Sequence, residues 1–163
     1  MCEGEAVTWI GLILVSLGIL ATAQIKAREA ESGLRLAEAF LALVTRIERE
    51  IRMYRTPLSV ILASDGGVLE DIGFMQMARD ALSSGIPPVC PDKRLGSAER
   101  DAVERLFAEL GSASAAEEVE RCRQAAEILS ASCEARKRDL PIKKRLYRAT
   151  ALSAALMLLI LFA

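Results

Sequence analysis

The order of apolar and charged positions in the middle of the chain predicts helices. From residue 36 onward, apolar side chains recur in steps of three and four residues, which is the spacing of one stripe along an amphipathic helix. The members of this stripe are Leu36, Phe40, Leu43, Val44, Ile47, Ile51 and Tyr54. Charged residues occupy the positions between them, and the opposite-charge pairs Arg46–Glu50 and Glu48–Arg52 favour the same helix.

Proline and glycine divide the next part of the chain. Thr56 is a good N-cap and Pro57 a good first helical residue, so a second helix is expected to begin there and to end at Gly66 and Gly67. A third helix is expected over residues 68–83. Its apolar side would be Val68, Ile72, Met75 and Leu82. The prolines and glycines of residues 83–97 predict a loop.

Two further helices complete the middle of the chain. Ser97 can cap a helix over residues 98–110 that Gly111 ends. A longer helix should begin near Ser114, and Pro141 should kink or break it. Its seam has the heptad spacing of a coiled coil, although packing within one bundle is the simpler interpretation. The seam consists of Val119, Cys122, Ala126, Leu129, Cys133, Arg136 and Leu140. The pattern predicts an all-α fold, a small helical bundle between an N-terminal and a C-terminal membrane anchor.

The first predicted anchor is the uncharged run of residues 6–25. A helix of this length spans about 30 Å, the thickness of the hydrocarbon core of a bilayer. The alternative is a signal peptide, because Ala21-Thr22-Ala23 resembles a cleavage site. The residues before the run are acidic and the basic residues follow it, which favours an uncleaved anchor with its C-terminal end in the cytoplasm.

The second predicted anchor is residues 146–163, which follow a basic segment. The uncharged part, residues 149–163, rises only about 22 Å, so it spans a thinned bilayer or enters as a half-buried tail. Basic residues flank both anchors on the side of the middle segment, so we expect residues 26–140 in the cytoplasm and both termini, including residues 1–5, outside. The expected membrane-interface residues are Trp9, Lys26, Arg28, Lys143, Lys144, Arg145, Tyr147 and Arg148.

The composition argues against several kinds of functional site. The chain has a formal net charge of −1 and no histidine, and no basic stretch carries interleaved aromatic residues, which argues against a nucleic-acid site. The four cysteines lack metal-ligand spacing and are expected to be free, buried thiols in a reducing compartment. The acids Glu117, Glu118 and Glu120 are expected to form a solvated face at a helix start. No nucleophile–base pair or phosphate-binding loop is present, so we expect no enzyme, cofactor or metal.

Several short motifs follow one another in an order that resembles a known family. Glu50-Ile51 precedes Thr56-Pro57-Leu58, and Leu106-Phe107 and Leu110-Gly111 precede a long charged helix that ends in residues 145–148 and an apolar tail. With the two predicted anchors, this order resembles the stage III sporulation protein AB family of endospore-forming bacteria. The chain departs from the family at Met53, where an aromatic residue is usual, in residues 112–118, which lack an Asp and a Gln, and in its glycine-free C-terminal run.

The resemblance implies a function. Members of that family look like the helical cytoplasmic domains of the type II secretion and type IV pilus platform proteins. It implies a non-enzymatic membrane platform or adaptor subunit, on the mother-cell side, that couples a secretion-type ATPase to a channel between mother cell and forespore. The implied contact surface is Arg46, Arg49, Glu50, Arg52, Arg55, Thr56, Pro57 and Leu58. The alternative is a membrane-anchored helical scaffold or regulator unrelated to sporulation, and the sequence leaves the oligomeric state open.

Overall fold

The computed structural model describes residues 3–63, 66–90 and 92–162, without the side chains of 3–17, 19, 20, 155 and 158–162. The helices in this part of the chain are α1 (Glu3–Tyr54), α2 (Leu58–Ala63), α3 (Val68–Asp71), α4 (Phe74–Ser84), α5 (Ser97–Glu109) and α6 (Ala115–Phe162). The described residues contain no strand. The all-α prediction is therefore confirmed.

The chain forms two compact units. The body is Ser32–Arg136, and the terminal unit is Met1–Glu31 together with Lys137–Ala163. The long helices α1 and α6 each contribute residues to both units.

Three phenylalanines form the centre of the body. The rings of Phe40 and Phe74 meet edge to face with their centroids 4.8 Å apart, and Phe74 meets Phe107 in the same way at 5.2 Å. This is the preferred arrangement of aromatic pairs. The predicted stripe of α1 is buried from Leu36 to Ile47, but Tyr54 is 71% exposed because α1 ends there and the chain turns away.

The single helix expected over residues 68–83 is two helices. Gly73 has a φ of 75°, a left-handed conformation that interrupts the helix between α3 and α4. The interruption changes which side chains face the core. Val68 and Leu82, expected inside, are 41% and 43% exposed, whereas Leu69 and Phe74 are buried.

Helix α5 begins at Ser97, and Gly96 rather than Ser97 is its N-cap. The Glu99 carboxylate reaches back and accepts a hydrogen bond from the Gly96 N–H at 2.7 Å. Such a contact satisfies a donor that a helix start leaves without an intrahelical partner. The predicted apolar side of α5 is confirmed, since Val103, Leu106 and Phe107 are buried.

Glu99 also joins α5 to α6. Its carboxylate accepts two hydrogen bonds from Arg136, from Nε at 2.9 Å and from Nη2 at 2.6 Å. Arg136 Nη1 donates to the Arg94 carbonyl at 3.2 Å. A Cβ on Gly33 would lie 3.0 Å from Arg136 Nη1 and 3.2 Å from the Arg94 carbonyl oxygen, so a glycine at this position leaves room for the pair beside α1.

Helix α6 runs through Pro141 without a break, so the expected break is wrong. A proline removes one backbone hydrogen bond, and the bonds of the flanking turns hold the helix together. The predicted seam is confirmed at Cys122, Leu129 and Cys133, while Ala125, not predicted, is buried beside them.

Within the described residues, no helix contains a segment that is both long and apolar enough to cross a membrane. Most of the side chains of the predicted anchor 6–25, including Trp9, lie outside that description, as do those of residues 158–162 in the second.

Replacing Arg136 tests the ion pair to Glu99. We expect Arg136→Met to lower the free energy of unfolding by about 2 to 4 kcal/mol, because Glu99 keeps its charge in a site that is 2% exposed. Urea titration of the helical circular-dichroism signal measures this. The matched control is Arg123→Met on the exposed side of α6, with an expected cost of about 0.5 kcal/mol. Equal costs for the two variants would contradict the role given to the pair.

Candidate functional site

The turn after α1 joins the two parts of the predicted contact motif. The Thr56 hydroxyl donates to the Glu50 carboxylate at 2.8 Å, and the Thr56 N–H donates to the Glu50 carbonyl at 3.4 Å. The expectation that Thr56 caps the next helix from its side chain is therefore wrong. Helix α2 begins at Leu58, and the exposed Pro57 contributes its carbonyl, which accepts from Val60 and Ile61.

The predicted arginines are all exposed, but they do not form one line. Arg46, Arg49 and Arg52 lie on α1, and Arg55 lies in the turn beyond its end. Residues three apart move round a helix by about 60° at each step, so the cations wind round α1 instead of facing one direction. Arg52 Nη1 lies 3.5 Å from the Glu48 carboxylate, as the four-residue spacing predicted.

Arg55 has a strained backbone. Its φ is 50°, in the left-handed region that glycine adopts freely and that other residues adopt at a cost. The Glu50–Thr56 hydrogen bonds close the turn on either side of it. One side-chain and one backbone hydrogen bond therefore hold this turn of the predicted contact segment.

An open cavity of about 250 Å³, lined by apolar side chains and by backbone, lies beside this turn. Its lining includes Leu58, Leu82, Ile86, Phe107 and Leu110. Ile86 is 70% exposed, so a large apolar side chain of the lining faces solvent. The sequence indicated Leu58 but did not predict this cavity, because its lining comes from three separate segments of the chain.

Half of the predicted membrane-interface residues meet at a second cavity, within the terminal unit. This basic cavity has a volume of about 350 Å³, and its charged and aromatic lining is Arg28, Glu31, Lys144, Tyr147 and Arg148. The Lys144 ammonium donates to the Glu31 carboxylate at 3.0 Å. The other described members of the set, Lys26, Lys143 and Arg145, are exposed and lie outside the lining.

Glu118 is buried, which contradicts the expected solvated acidic face. Its Oε1 accepts hydrogen bonds from the N–H groups of Gly111 at 2.8 Å and of Ala113 at 3.1 Å. The buried carboxylate thereby satisfies two backbone donors of the turn between α5 and α6. Glu117 and Glu120 are exposed as expected, and Glu117 with Ser114 forms a reciprocal cap at the start of α6.

The cysteines of the body are free and buried, as predicted for Cys90, Cys122 and Cys133, and Cys2 lies outside the described residues. Burial, together with the nearby Glu118 and Glu48 carboxylates, raises the pKa of the Cys122 thiol to about 12. Burial also raises the pKa of Cys90. Both thiols are therefore protonated, and hence weak nucleophiles, at neutral pH.

The described residues contain no cluster of three Cys, Asp or Glu side chains that would hold a metal ion. The arrangement instead offers two kinds of binding surface. One is the turn with its arginines and apolar cavity, and the other is the basic cavity of the terminal unit.

No family model, curated protein or solved structure matches the chain. The resemblance to the sporulation family therefore rests on the motifs and stays a prediction.

The strain at Arg55 has a measurable consequence. We expect Arg55→Gly to raise the free energy of unfolding by about 0.5 to 1 kcal/mol, because glycine adopts the positive φ without a Cβ clash. Arg52→Gly is the matched control, since it removes the same charge three residues earlier and should cost up to about 1 kcal/mol within α1. Chemical denaturation compares them, and a loss of stability in both variants would refute the strain.

The raised pKa of Cys122 predicts a pH dependence. A thiol with a higher pKa in the folded state than its ordinary value of 9.0 stabilises the fold below pH 9, and this contribution is lost as the pH rises toward 12. We expect the free energy of unfolding to fall more steeply between pH 9 and pH 11 in the wild type than in Cys122→Ala. Parallel slopes in the two proteins would contradict the assignment.

Proposed function

We propose that the protein is a non-enzymatic membrane platform or adaptor subunit that couples a secretion-type ATPase to a channel between mother cell and forespore. The proposal follows the resemblance to the stage III sporulation protein AB family. The observation that carries it is the turn at residues 55–58, where Glu50 and Thr56 are joined and Leu58 lines an open apolar cavity.

The Glu50–Thr56 contact supports the resemblance by giving its motif a physical basis. Glu-Ile and Thr-Pro-Leu stand at a fixed separation in the motif, and here the side chains of its Glu and its Thr bond directly at 2.8 Å. A change in the separation would move the carboxylate away from the hydroxyl. The motif thus specifies the conformation in which the turn is presented.

The surroundings of the turn suit a protein partner. Exposed arginines lie before it, exposed Met53 and Tyr54 precede it directly, and the apolar cavity follows. Arginine, methionine and aromatic residues are enriched at protein interfaces. An acidic, partly apolar surface on the ATPase is the partner chemistry that this combination fits.

The proposed membrane location rests on the sequence. The apolar runs 6–25 and 146–163 would be the anchors, with basic residues on the side of the body, so the body would be cytoplasmic and both termini outside. Lipid would then be a second partner. In a chain whose Cys2 is replaced, single cysteines introduced at residue 4 and at the exposed position Lys93 are probed with a membrane-impermeant reagent on intact cells. We expect labelling at residue 4 alone, and labelling at Lys93 would contradict this topology.

A membrane-anchored helical scaffold or regulator unrelated to sporulation is the alternative. This alternative has the same all-α body. The timing of expression distinguishes it from the platform function. Synthesis confined to sporulating cells supports the platform, and constitutive synthesis supports the alternative.

In-cell crosslinking and co-purification of the full chain from sporulating cells test the platform directly. We expect mass spectrometry to find a secretion-type ATPase or a channel ring protein among the partners. Good recovery of the chain with neither partner would contradict the proposal.

Charge reversal localises the contact. We expect Arg46→Glu/Arg49→Glu to lower recovery of the ATPase about tenfold, because two cations on the contact surface become anions. Arg105→Glu/Arg123→Glu makes the same charge change on exposed sites of α5 and α6. Unchanged recovery with the first variant would refute the assignment of the surface, and helicity of both variants should equal that of the wild type.

A further inference from the structure

We propose that the basic cavity of the terminal unit binds the phosphate headgroup of one anionic phospholipid. The inference rests on the membrane location in the proposed function and adds a specific ligand site to it. A basic segment beside a membrane attracts anionic lipid diffusely. A cavity with converging cations differs from this, because it selects one molecule in one position.

The charge of the lining favours an anion. Arg28, Lys144 and Arg148 contribute three cations, and Glu31 contributes one carboxylate, which leaves an excess of positive charge. Lys144 is paired with Glu31 at 3.0 Å. Within the described part of the chain, neither Arg28 nor Arg148 forms an ion pair, so two guanidinium groups retain their donors for a ligand.

The types of donor select a phosphate. A guanidinium presents paired N–H groups whose geometry matches two oxygens of a phosphate. Tyr147 adds a hydroxyl to the same lining. The cavity volume of about 350 Å³ lies within the usual range for small-ligand sites.

The apolar part of the lining identifies a lipid as the source of the phosphate. Along α6 the lining residues pass from Lys144 through Tyr147 and Arg148 to Ala151 and Leu152. Along α1 the charged residues come last, and the row runs from Ala23, Gln24 and Ala27 to Arg28 and Glu31, with Gln24 as its uncharged polar member. Because Glu31 and Lys144 are in contact, the charged ends of both rows lie together. The cavity is therefore amphipathic along its length, as the boundary between a headgroup and its acyl chains requires.

The test uses the full-length protein in a neutral detergent, titrated with phosphatidylglycerol and observed by native mass spectrometry. We expect one molecule to bind in preference to phosphatidylcholine. Arg28→Gln/Arg148→Gln should weaken this binding at least tenfold. The matched control, Lys143→Gln/Arg145→Gln, removes the same charge from the same basic segment outside the lining and should change the affinity less than threefold. Equal weakening by both variants would overturn the site and leave only diffuse attraction.

A second variant keeps all charges and fills the space. Ala27→Phe should abolish the one-to-one binding, because the ring would occupy the cavity. Retention of wild-type affinity in this variant would overturn the site. Inorganic phosphate and glycerol 3-phosphate serve as soluble probes, and binding of either with the affinity of the lipid would overturn the lipid as the ligand.

Membrane fractionation separates this inference from the proposed function. We expect the wild type and both charge variants to sediment with membranes, since the apolar runs are unchanged. Membrane location with no lipid selectivity would overturn the cavity site alone. A wild-type chain that stays out of the membrane fraction would overturn the proposed function, and the lipid site with it.

Discussion

The ion pair between Arg136 and Glu99 is the contact on which the body depends most. It is largely buried. The Arg136 guanidinium donates to the Glu99 carboxylate of α5 and to the Arg94 carbonyl in the preceding loop, and it lies beside Gly33 of α1. Hydrogen bonds to both partners offset the cost of burying the charges. The same carboxylate caps α5 through Gly96, so the start of one helix and the position of another are set by one side chain. The three phenylalanines form a separate buried contact among α1, α4 and α5.

The parts of the fold that could be predicted from the sequence are those with local causes. The stripe of α1, the apolar side of α5 and the buried cysteines follow from periodicity or residue type. The interruption at Gly73 was missed because a glycine within an apolar pattern is compatible with a continuous helix until its φ is known. The break predicted at Pro141 was wrong, because the helical turns on either side override the tendency of proline to end a helix. Glu99 and Glu118 were missed because their partners lie in distant segments or in the backbone of a turn.

The candidate sites likewise include features that could be predicted from the sequence and features that could not. The exposure of the predicted arginines could be inferred from their charge and their spacing along the chain. The contact between Glu50 and Thr56 gives a reason for a motif that the sequence showed only as a spacing. The two cavities could not be predicted, because each is formed by side chains that adjacent segments bring together. Their linings differ in chemistry, since one consists of apolar side chains and backbone and the other carries three cations and one carboxylate.

The buried thiols have a practical consequence for studying the protein. Cys90, Cys122 and Cys133 are inaccessible, and Cys122 stays protonated far above neutral pH. Maleimide reagents attack thiolates that they can reach, so at pH 7 these three side chains will not compete with a cysteine introduced on the surface. A spectroscopic probe at Arg55 or Ile86 would therefore require replacement of Cys2 alone, and the packing around α6 would remain intact.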